Sequence, residues 1–151
     1  SFALLEKNLQ LNQATNVRPF PEAIGGRTGE LALDVSSGEP LQYGTKGAAD
    51  AGDRLTVPSL SLKDAFERLS LAHCNLLKLD CEGAEYDILF KTPSSVLSRI
   101  DHIVMEYHDG VAPANHLDMV EFLTSQGFQV RTQPNPVHAH LGFLHGVRAD
   151  S

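Results

Sequence analysis

Long apolar runs, clusters of basic residues and abundant cysteines are all missing from this chain, and each absence narrows what it can be. No apolar stretch approaches the roughly 20 residues that a membrane span needs, so we expect no membrane partner. Basic residues number 12 against 19 acidic ones, and they form no run, whereas a nucleic-acid binder usually presents a basic face. The formal net charge of −7 therefore predicts no nucleic-acid partner.

The chain has only two cysteines, Cys74 and Cys81. They bracket an apolar segment with the pattern of a strand, which at about 3.3 Å per residue would hold them roughly 20 Å apart. A disulfide needs Cα atoms within about 7 Å of each other, so both are predicted to be free thiols. Free thiols are typical of a reducing compartment, and we expect a cytoplasmic protein.

Alternating helical and strand patterns predict one α/β domain across the 151 residues,. Helices are expected over residues 1–16, 58–71 and 113–128, and a further helix is expected to follow the strand 75–80 and to run as far as residue 90. Strands are expected over 17–26, 29–35, 75–80, 98–108, 128–133 and 139–148. The second strand should turn at 36–38 into a hairpin, residues 45–53 should form a loop, and the last two strands should pair as an antiparallel hairpin. Helical spacing starts at the first residues, so we expect further sequence upstream.

Acidic residues gather where the strand "LLKLD" meets the next helix. The strand is apolar on both faces, which is typical of the middle of a parallel sheet. Asp80 and Glu82 follow it, and Glu106, His108 and Asp109 lie at the end of the next strand. Ligands bind at the carboxyl ends of such strands, so one rim would collect these side chains. Acids in a first helical turn also stabilise the helix dipole, and that alternative explains Glu82 and Glu85 without any site.

The stretch "LLKLDCEGAEYDILF" resembles the strand–turn–helix motif of the FkbM family of S-adenosylmethionine-dependent methyltransferases, in which Asp-x-Glu-Gly-x-Glu follows an apolar strand. "LLEKNLQLN", "VRPFPEAIGGRTGELAL", "VPSLSLKDAF" and "IDHIVMEYH" resemble other segments of this family in the same order. The resemblance implies a Rossmann-like class I methyltransferase sheet, mostly parallel with an antiparallel C-terminal hairpin, and S-adenosylmethionine as the cofactor. It further implies that the turn Glu22-Ala23-Ile24 lies near the adenine, and that Asp80 lies near the amino-acid end or the methyl group.

The chain departs from this family at its start. The family holds its cofactor on a glycine-rich turn after the first strand, and an acidic residue at the end of the second strand binds the ribose. Neither feature is present, so we expect a single truncated domain over 1–151 with the N-terminal strands missing.

Transfer to a hydroxyl of a small molecule or glycan would need a base. His108 has a suitable intrinsic pKa, and Glu82 or Glu106 could serve instead if burial raised the carboxyl pKa. Asp80, Glu82 and Glu106 could alternatively hold Mg²⁺, but the family resemblance implies no metal. His138 and His140 alternate as if on one strand face, and with no third ligand nearby they are interpreted as surface histidines. Tyr43 and Tyr107 are interpreted as packing residues.

A second hypothesis is a chain without catalytic activity. Lacking the glycine-rich turn, it would bind no cofactor by itself and would form a homo-oligomer through an exposed sheet edge. A hydrolase has no support, because no Gly-x-Ser-x-Gly elbow is present.

Overall fold

The computed structural model of the chain describes residues 2–34 and 54–149. The helices in these ranges are α1 (Phe2–Leu11), α2 (Leu62–Arg68), α3 (Glu85–Phe90), α4 (Ser94–Leu97) and α5 (His116–Ser125). The strands are β1 (Ala23–Ile24), β2 (Gly29–Asp34), β3 (Arg54–Leu60), β4 (Cys74–Leu79), β5 (Ile100–His108), β6 (Phe128–Pro134) and β7 (Leu141–Arg148). The predicted turn at 36–38, the predicted loop at 45–53 and Tyr43 lie outside the described residues.

These strands form two small sheets. One has the order β1-β3-β2 and the other the order β4-β5-β7-β6. The pairs β1–β3 and β4–β5 are parallel, whereas β2–β3, β5–β7 and β6–β7 are antiparallel. The predicted α/β fold and the C-terminal hairpin are therefore confirmed, but the described sheets are partly parallel rather than mostly parallel.

The strand β3 is a correction to the sequence-based prediction. Residues from Pro58 onwards were expected to be helical, but this segment pairs with β2 and the helix α2 begins only after Ser61. Ser61 is the N-cap of α2, since its hydroxyl accepts the backbone N–H of Asp64 at 3.1 Å. The backbone N–H of Ser61 donates instead to Thr28 Oγ1 at 3.0 Å. The start of α2 is thereby tied to the turn before β2.

The main core lies between one face of the four-stranded sheet and the helices packed on it. The sheet contributes Leu79, Ile103, Met105, Tyr107 and Leu144, and the helices contribute Tyr86, Ile88, Leu89, Leu97, Met119 and Leu123. Burial of each large apolar side chain contributes about 1.5–3 kcal/mol to folding. This core fixes β4 against β5, and it fixes α3 and α5 relative to both strands.

The apolar pattern of β4 predicted a strand in the middle of a sheet, but among the described residues β4 has only one neighbouring strand. It is an edge strand of the four-stranded sheet, and Leu76 is 58% exposed. The two faces of β4 therefore differ, since Leu79 is buried in the core. Within the described ranges, no helix has the length and apolar character to cross a membrane.

The helix α5 begins and ends as its sequence signals indicate. Asn115 caps it, and the side chain of Asp118 accepts the Asn115 backbone N–H at 2.9 Å to complete a capping box. Gly127 follows the C-cap with a φ of +85°, the left-handed conformation that ends many helices. Leu117 on this helix is exposed, whereas Met119 and Leu123 are buried.

Candidate functional site

The parallel pairing of β4 and β5 brings two strand ends to one rim. Leu79 lies opposite Met105, so Asp80 emerges beside Glu106, and the chain after β4 passes over His108. The structure therefore places the rim residues predicted from the sequence at the carboxyl ends of two neighbouring strands. Ligands bind at the carboxyl ends of the strands in open α/β sheets.

The segment of residues 80–85, called the acid turn below, owes its shape to Glu85. Glu85 is completely buried, and its carboxylate accepts the backbone N–H of Gly83 at 2.8 Å and that of Cys81. Glu82 and Gly83 have φ values of +53° and +99°, in the left-handed region where glycine is favoured. Glu85 thus holds the turn from inside and leaves Glu82 to face outward.

Glu82 lies against His108, which is the closest approach among the predicted site residues. Glu82 Oε2 is 3.4 Å from His108 Nε2, and Glu85 Oε1 is 3.7 Å from His108 Nδ1. The His108 side chain is only 9% exposed, and its Nδ1 has no hydrogen-bond partner among the described residues. His108 therefore sits between two carboxylates in a nearly closed position.

Asp80 is exposed at the outer side of the rim, where it pairs with Lys78 at 2.9 Å. Hydrogen bonding to Asp80 raises the pKa of Lys78, and the charge of Glu106 adds to this effect. The ammonium group therefore lies close to both acids. Sequence reasoning missed Lys78, although a lysine two residues before Asp80 in an apolar strand must share its face.

A second cluster at the same rim joins Asp109, which the sequence placed there, to Tyr86 and His116, which sequence reasoning missed. Asp109 and His116 are the two ends of the segment 109–116, called the His116 loop below, and Tyr86 reaches it from α3. Asp109 Oδ1 accepts the Tyr86 hydroxyl at 2.6 Å and the His116 backbone N–H at 2.8 Å. Asp109 Oδ2 lies 2.5 Å from His116 Nδ1. The sequence signal was the acid directly after β5, but nothing in the spacing pointed to a histidine seven residues later.

The contacts within this cluster shift the pKa values of Asp109 and Tyr86. Burial opposes ionisation of Asp109, but hydrogen bonds from Tyr86 and His116 outweigh it and lower the pKa of Asp109. Burial, followed by the hydrogen bond to Asp109, raises the pKa of the Tyr86 hydroxyl far above its usual range. Tyr86 is therefore a proton donor to an ionised carboxylate at any ordinary pH.

The three residues predicted near the adenine lie in the other sheet. Ala23 and Ile24 form β1 rather than a turn, and Glu22 lies directly before them. Glu22 Oε1 is 2.5 Å from an Arg68 guanidinium nitrogen, and this hydrogen bond is the main reason that the pKa of Glu22 is lowered. Glu22 Oε2 is buried with no hydrogen-bond partner among the described residues.

A pocket of about 250 Å³ lies beside Glu22. It is lined by Phe20, Glu22, Ile24, Leu60, Ala65, Arg68 and Leu69. The pocket is therefore largely apolar, with one unsatisfied carboxylate oxygen. The glycine pair after β1 lies close to α3, because a Cβ added to Gly26 would overlap the Asp87 carboxylate and the Lys91 side chain. β1 thus leads to the helix that begins at the acid turn.

The remaining candidates do not form a site. Within residues 2–34 and 54–149, no group of three or more acidic, histidine or cysteine side chains is arranged to hold a metal ion. His138 and His140 lie in the connection between β6 and β7 rather than on a strand, which corrects their predicted placement. Cys74 and Cys81 are both free, as predicted, and burial raises the pKa of each thiol.

The fold and the rim together define a mixed α/β protein whose candidate site lies at the carboxyl ends of two parallel strands. Residues 2–130 match the model of the methyltransferase FkbM domain. Because this match covers most of the chain, the protein belongs to the FkbM methyltransferase family. Comparison with curated proteins and with solved structures gave no match.

Proposed function

We propose that this chain transfers the methyl group of S-adenosylmethionine to a hydroxyl oxygen of a small molecule or glycan. The observation that carries the proposal is the meeting of the acid turn with His108 at one sheet edge, in a chain of a methyltransferase family. When bound, the cofactor supplies a methyl group on a positively charged sulfur. Carboxylates at the rim favour such a cation by Coulomb attraction.

We assign the adenine of the cofactor to the pocket beside Glu22 and its amino-acid end to Asp80. The pocket beside Glu22 fits an adenine, because its apolar walls suit the ring and the unpaired Glu22 oxygen can accept the amino group,. Ala23 and Ile24 form the strand at this pocket. Asp80 is the proposed partner of the amino-acid end, since its carboxylate is exposed and Lys78 is its only partner among the described residues.

The acceptor hydroxyl requires a proton acceptor at the same rim. Glu82, Glu106 and His108 are the candidates nominated by the sequence. Glu82 lies within ion-pair distance of His108, at 3.4 Å, so these two residues act as one unit. In the proposal this unit orients the acceptor. The protein's main contribution is alignment, because the methyl donor is already activated.

We further propose that β4-β5-β7-β6 is the C-terminal half of a Rossmann-like class I methyltransferase sheet. The parallel β4–β5 pair and the insertion of the antiparallel β7 between β5 and β6 support this assignment. In this reading residues 1–151 are one domain that acts in the cytoplasm.

Calorimetric titration with S-adenosylmethionine and S-adenosylhomocysteine tests the proposal. The folded wild-type chain should bind both, and Asp80→Asn should lose binding while the exposed control Glu121→Gln keeps it. Equal binding by Asp80→Asn and wild type would remove Asp80 from the site. Acceptors are then found by screening small hydroxyl compounds and glycans for release of S-adenosylhomocysteine.

The open edge of β4 supports a second candidate function, a non-catalytic domain that forms homo-oligomers. An edge strand offers unpaired backbone groups to another copy, and Leu76 on this strand is exposed. Analytical ultracentrifugation should then show a dimer that the Leu76→Lys substitution dissociates. Calorimetric titration with the cofactor should show no binding. A monomer that binds the cofactor would exclude this candidate.

A further inference from the structure

We propose that His116, held by Asp109, is the proton acceptor of the rim, with its Nε2 atom as the open base. The inference rests on the proposed methyl transfer for its chemistry, but its geometry is independent of the cofactor. His116 is the first residue of α5. It lies at the same rim as the acid turn, because it contacts Asp109, which directly follows β5.

The Asp109 carboxylate decides where the imidazole carries its proton. A carboxylate only accepts hydrogen bonds, so the nitrogen 2.5 Å from Asp109 Oδ2 must donate, and the neutral ring carries its hydrogen on Nδ1. The lone pair then lies on Nε2. The other carboxylate oxygen is occupied by the Tyr86 hydroxyl and the His116 backbone N–H, so Asp109 cannot rotate without losing both.

The ring of Tyr107 fixes the plane of the imidazole. The two rings stack with centroids 4.4 Å apart and planes 15° from parallel. Tyr107 itself is buried, and its ring packs so closely on Gly142 that a Cβ there would overlap the hydroxyl. The His116 side chain nevertheless keeps 24% of its surface exposed. The His116 ring is thus oriented by Asp109 and Tyr107, and part of its surface remains exposed.

His108 lacks this arrangement. Its side chain is less exposed, its Nδ1 has no hydrogen-bond partner among the described residues, and Glu82 approaches Nε2 only to 3.4 Å. Glu85, the nearer acid on the Nδ1 side, already accepts two backbone N–H groups. Among the described residues, no carboxylate approaches His108 as closely as Asp109 approaches His116, so the tautomer of His108 is held less firmly.

The step proposed for His116 is a proton transfer coupled to methyl transfer. The acceptor oxygen forms its bond to the methyl carbon as the carbon–sulfur bond breaks, and the bonding pair stays on sulfur. The hydroxyl proton moves to His116 Nε2. The resulting imidazolium is stabilised by the ionised Asp109, as in other carboxylate–histidine pairs.

Two measurements on the intact, cofactor-free protein test the assignment. Long-range ¹H–¹⁵N correlation spectra at mildly alkaline pH should show His116 protonated on Nδ1 and unprotonated on Nε2. Modification by diethyl pyrocarbonate, mapped by mass spectrometry, should reach His116 several-fold faster than His108. A ring protonated on Nε2, or earlier modification of His108, would overturn the assignment.

Asp109→Asn provides a decisive variant. The single amide oxygen must replace Oδ1 to accept from Tyr86 and the His116 backbone, so the amide NH₂ faces Nδ1 and drives the proton to Nε2. The variant should therefore show the opposite tautomer and slower modification of His116, whereas the matched Tyr86→Phe keeps the wild-type tautomer. An unchanged tautomer in Asp109→Asn would also overturn the assignment. Cofactor binding, measured separately, reports on the proposed function alone.

Discussion

The acid turn and the His116 loop lie side by side and follow neighbouring parallel strands, yet they use their engaged carboxylates differently. In the acid turn, Glu85 accepts two backbone N–H groups and shapes the chain. In the His116 loop, Asp109 accepts one backbone N–H group and two side-chain donors, from Tyr86 and His116. The Glu85 carboxylate thus fixes the backbone of the acid turn, and the Asp109 carboxylate orients the His116 ring.

This difference assigns separate tasks to the two segments. A carboxylate that is saturated by backbone donors is a structural element, and its loss should be measured in stability. A carboxylate that holds an imidazole controls a tautomer, and its loss should be measured in the chemistry of that ring. The substitutions that follow test whether the two tasks are truly separate, beginning with the largest expected effect.

Glu85→Ala should cause the largest loss of stability. It leaves the backbone N–H groups of Cys81 and Gly83 without their acceptor in a buried setting, at about 1–3 kcal/mol for each. We expect the free energy of unfolding in urea to fall by about 3–5 kcal/mol. The exposed acid Glu121 is the control, because Glu121→Ala should change stability by less than about 0.5 kcal/mol. Equal losses for both variants would contradict the structural role of Glu85.

Gly83→Ala should be the next most damaging change, and Gly110→Ala is its counterpart in the His116 loop. Both glycines have positive φ values, +99° and +83°, so each alanine carries backbone strain of about 1–2 kcal/mol. A Cβ on Gly83 would also lie 2.9 Å from Val111 Cβ, whereas Gly110 faces open space. Overpacking adds about 1 kcal/mol or more at Gly83. Thermal unfolding should therefore rank Gly83→Ala well below Gly110→Ala, and the reverse order would contradict the packing described.

Much of the local structure could be predicted from the sequence because it depends on neighbours along the chain. Alternation and helical spacing located most elements, and the caps at Ser61 and Asn115 follow from side chains that reach their own helix. The strand β3 was missed because the helical pattern that follows Ser61 was extended back to Pro58. Its strand state comes from pairing with β2 on one side and β1 on the other, which is tertiary information.

The candidate site divides in the same way. The sequence placed Asp80, Glu82 and His108 at one rim, because parallel strands end at the same edge. It could not show that Asp80 would turn to Lys78, or that Asp109 would select His116. Those choices depend on loop geometry and on the packing of α3 and α5, for which one sequence carries no periodic signal.

Tyr86→Phe should produce a smaller effect that is confined to the His116 loop. It removes a 2.6 Å hydrogen bond to an ionised carboxylate, which contributes about 1.5 kcal/mol, while the buried ring remains in the core. The free energy of unfolding should fall by about that amount. Hydrogen exchange should quicken at the backbone amide of His116 and stay unchanged at that of Gly83. Faster exchange at Gly83 would show that the two segments are not separate.

The smallest expected effect is an acid-dependent loss of stability that belongs to Asp109. Burial raises the pKa of this carboxyl, but hydrogen bonds from Tyr86 and His116 lower it by more than burial raises it. The folded-state pKa therefore lies below the unfolded value. The unfolded chain then binds the extra proton, and the contribution of Asp109 is complete above about pH 4 and is lost as the pH falls through the folded-state pKa. The stability difference between wild type and Asp109→Asn should shrink as the pH falls below about 4. Tyr86→Phe should shift this decline to higher pH, because one of the stabilising donors is gone. A stability difference that does not change with pH would mean that Asp109 is held by packing and not by its charge, and the contrast with Glu85 would then lose its physical basis.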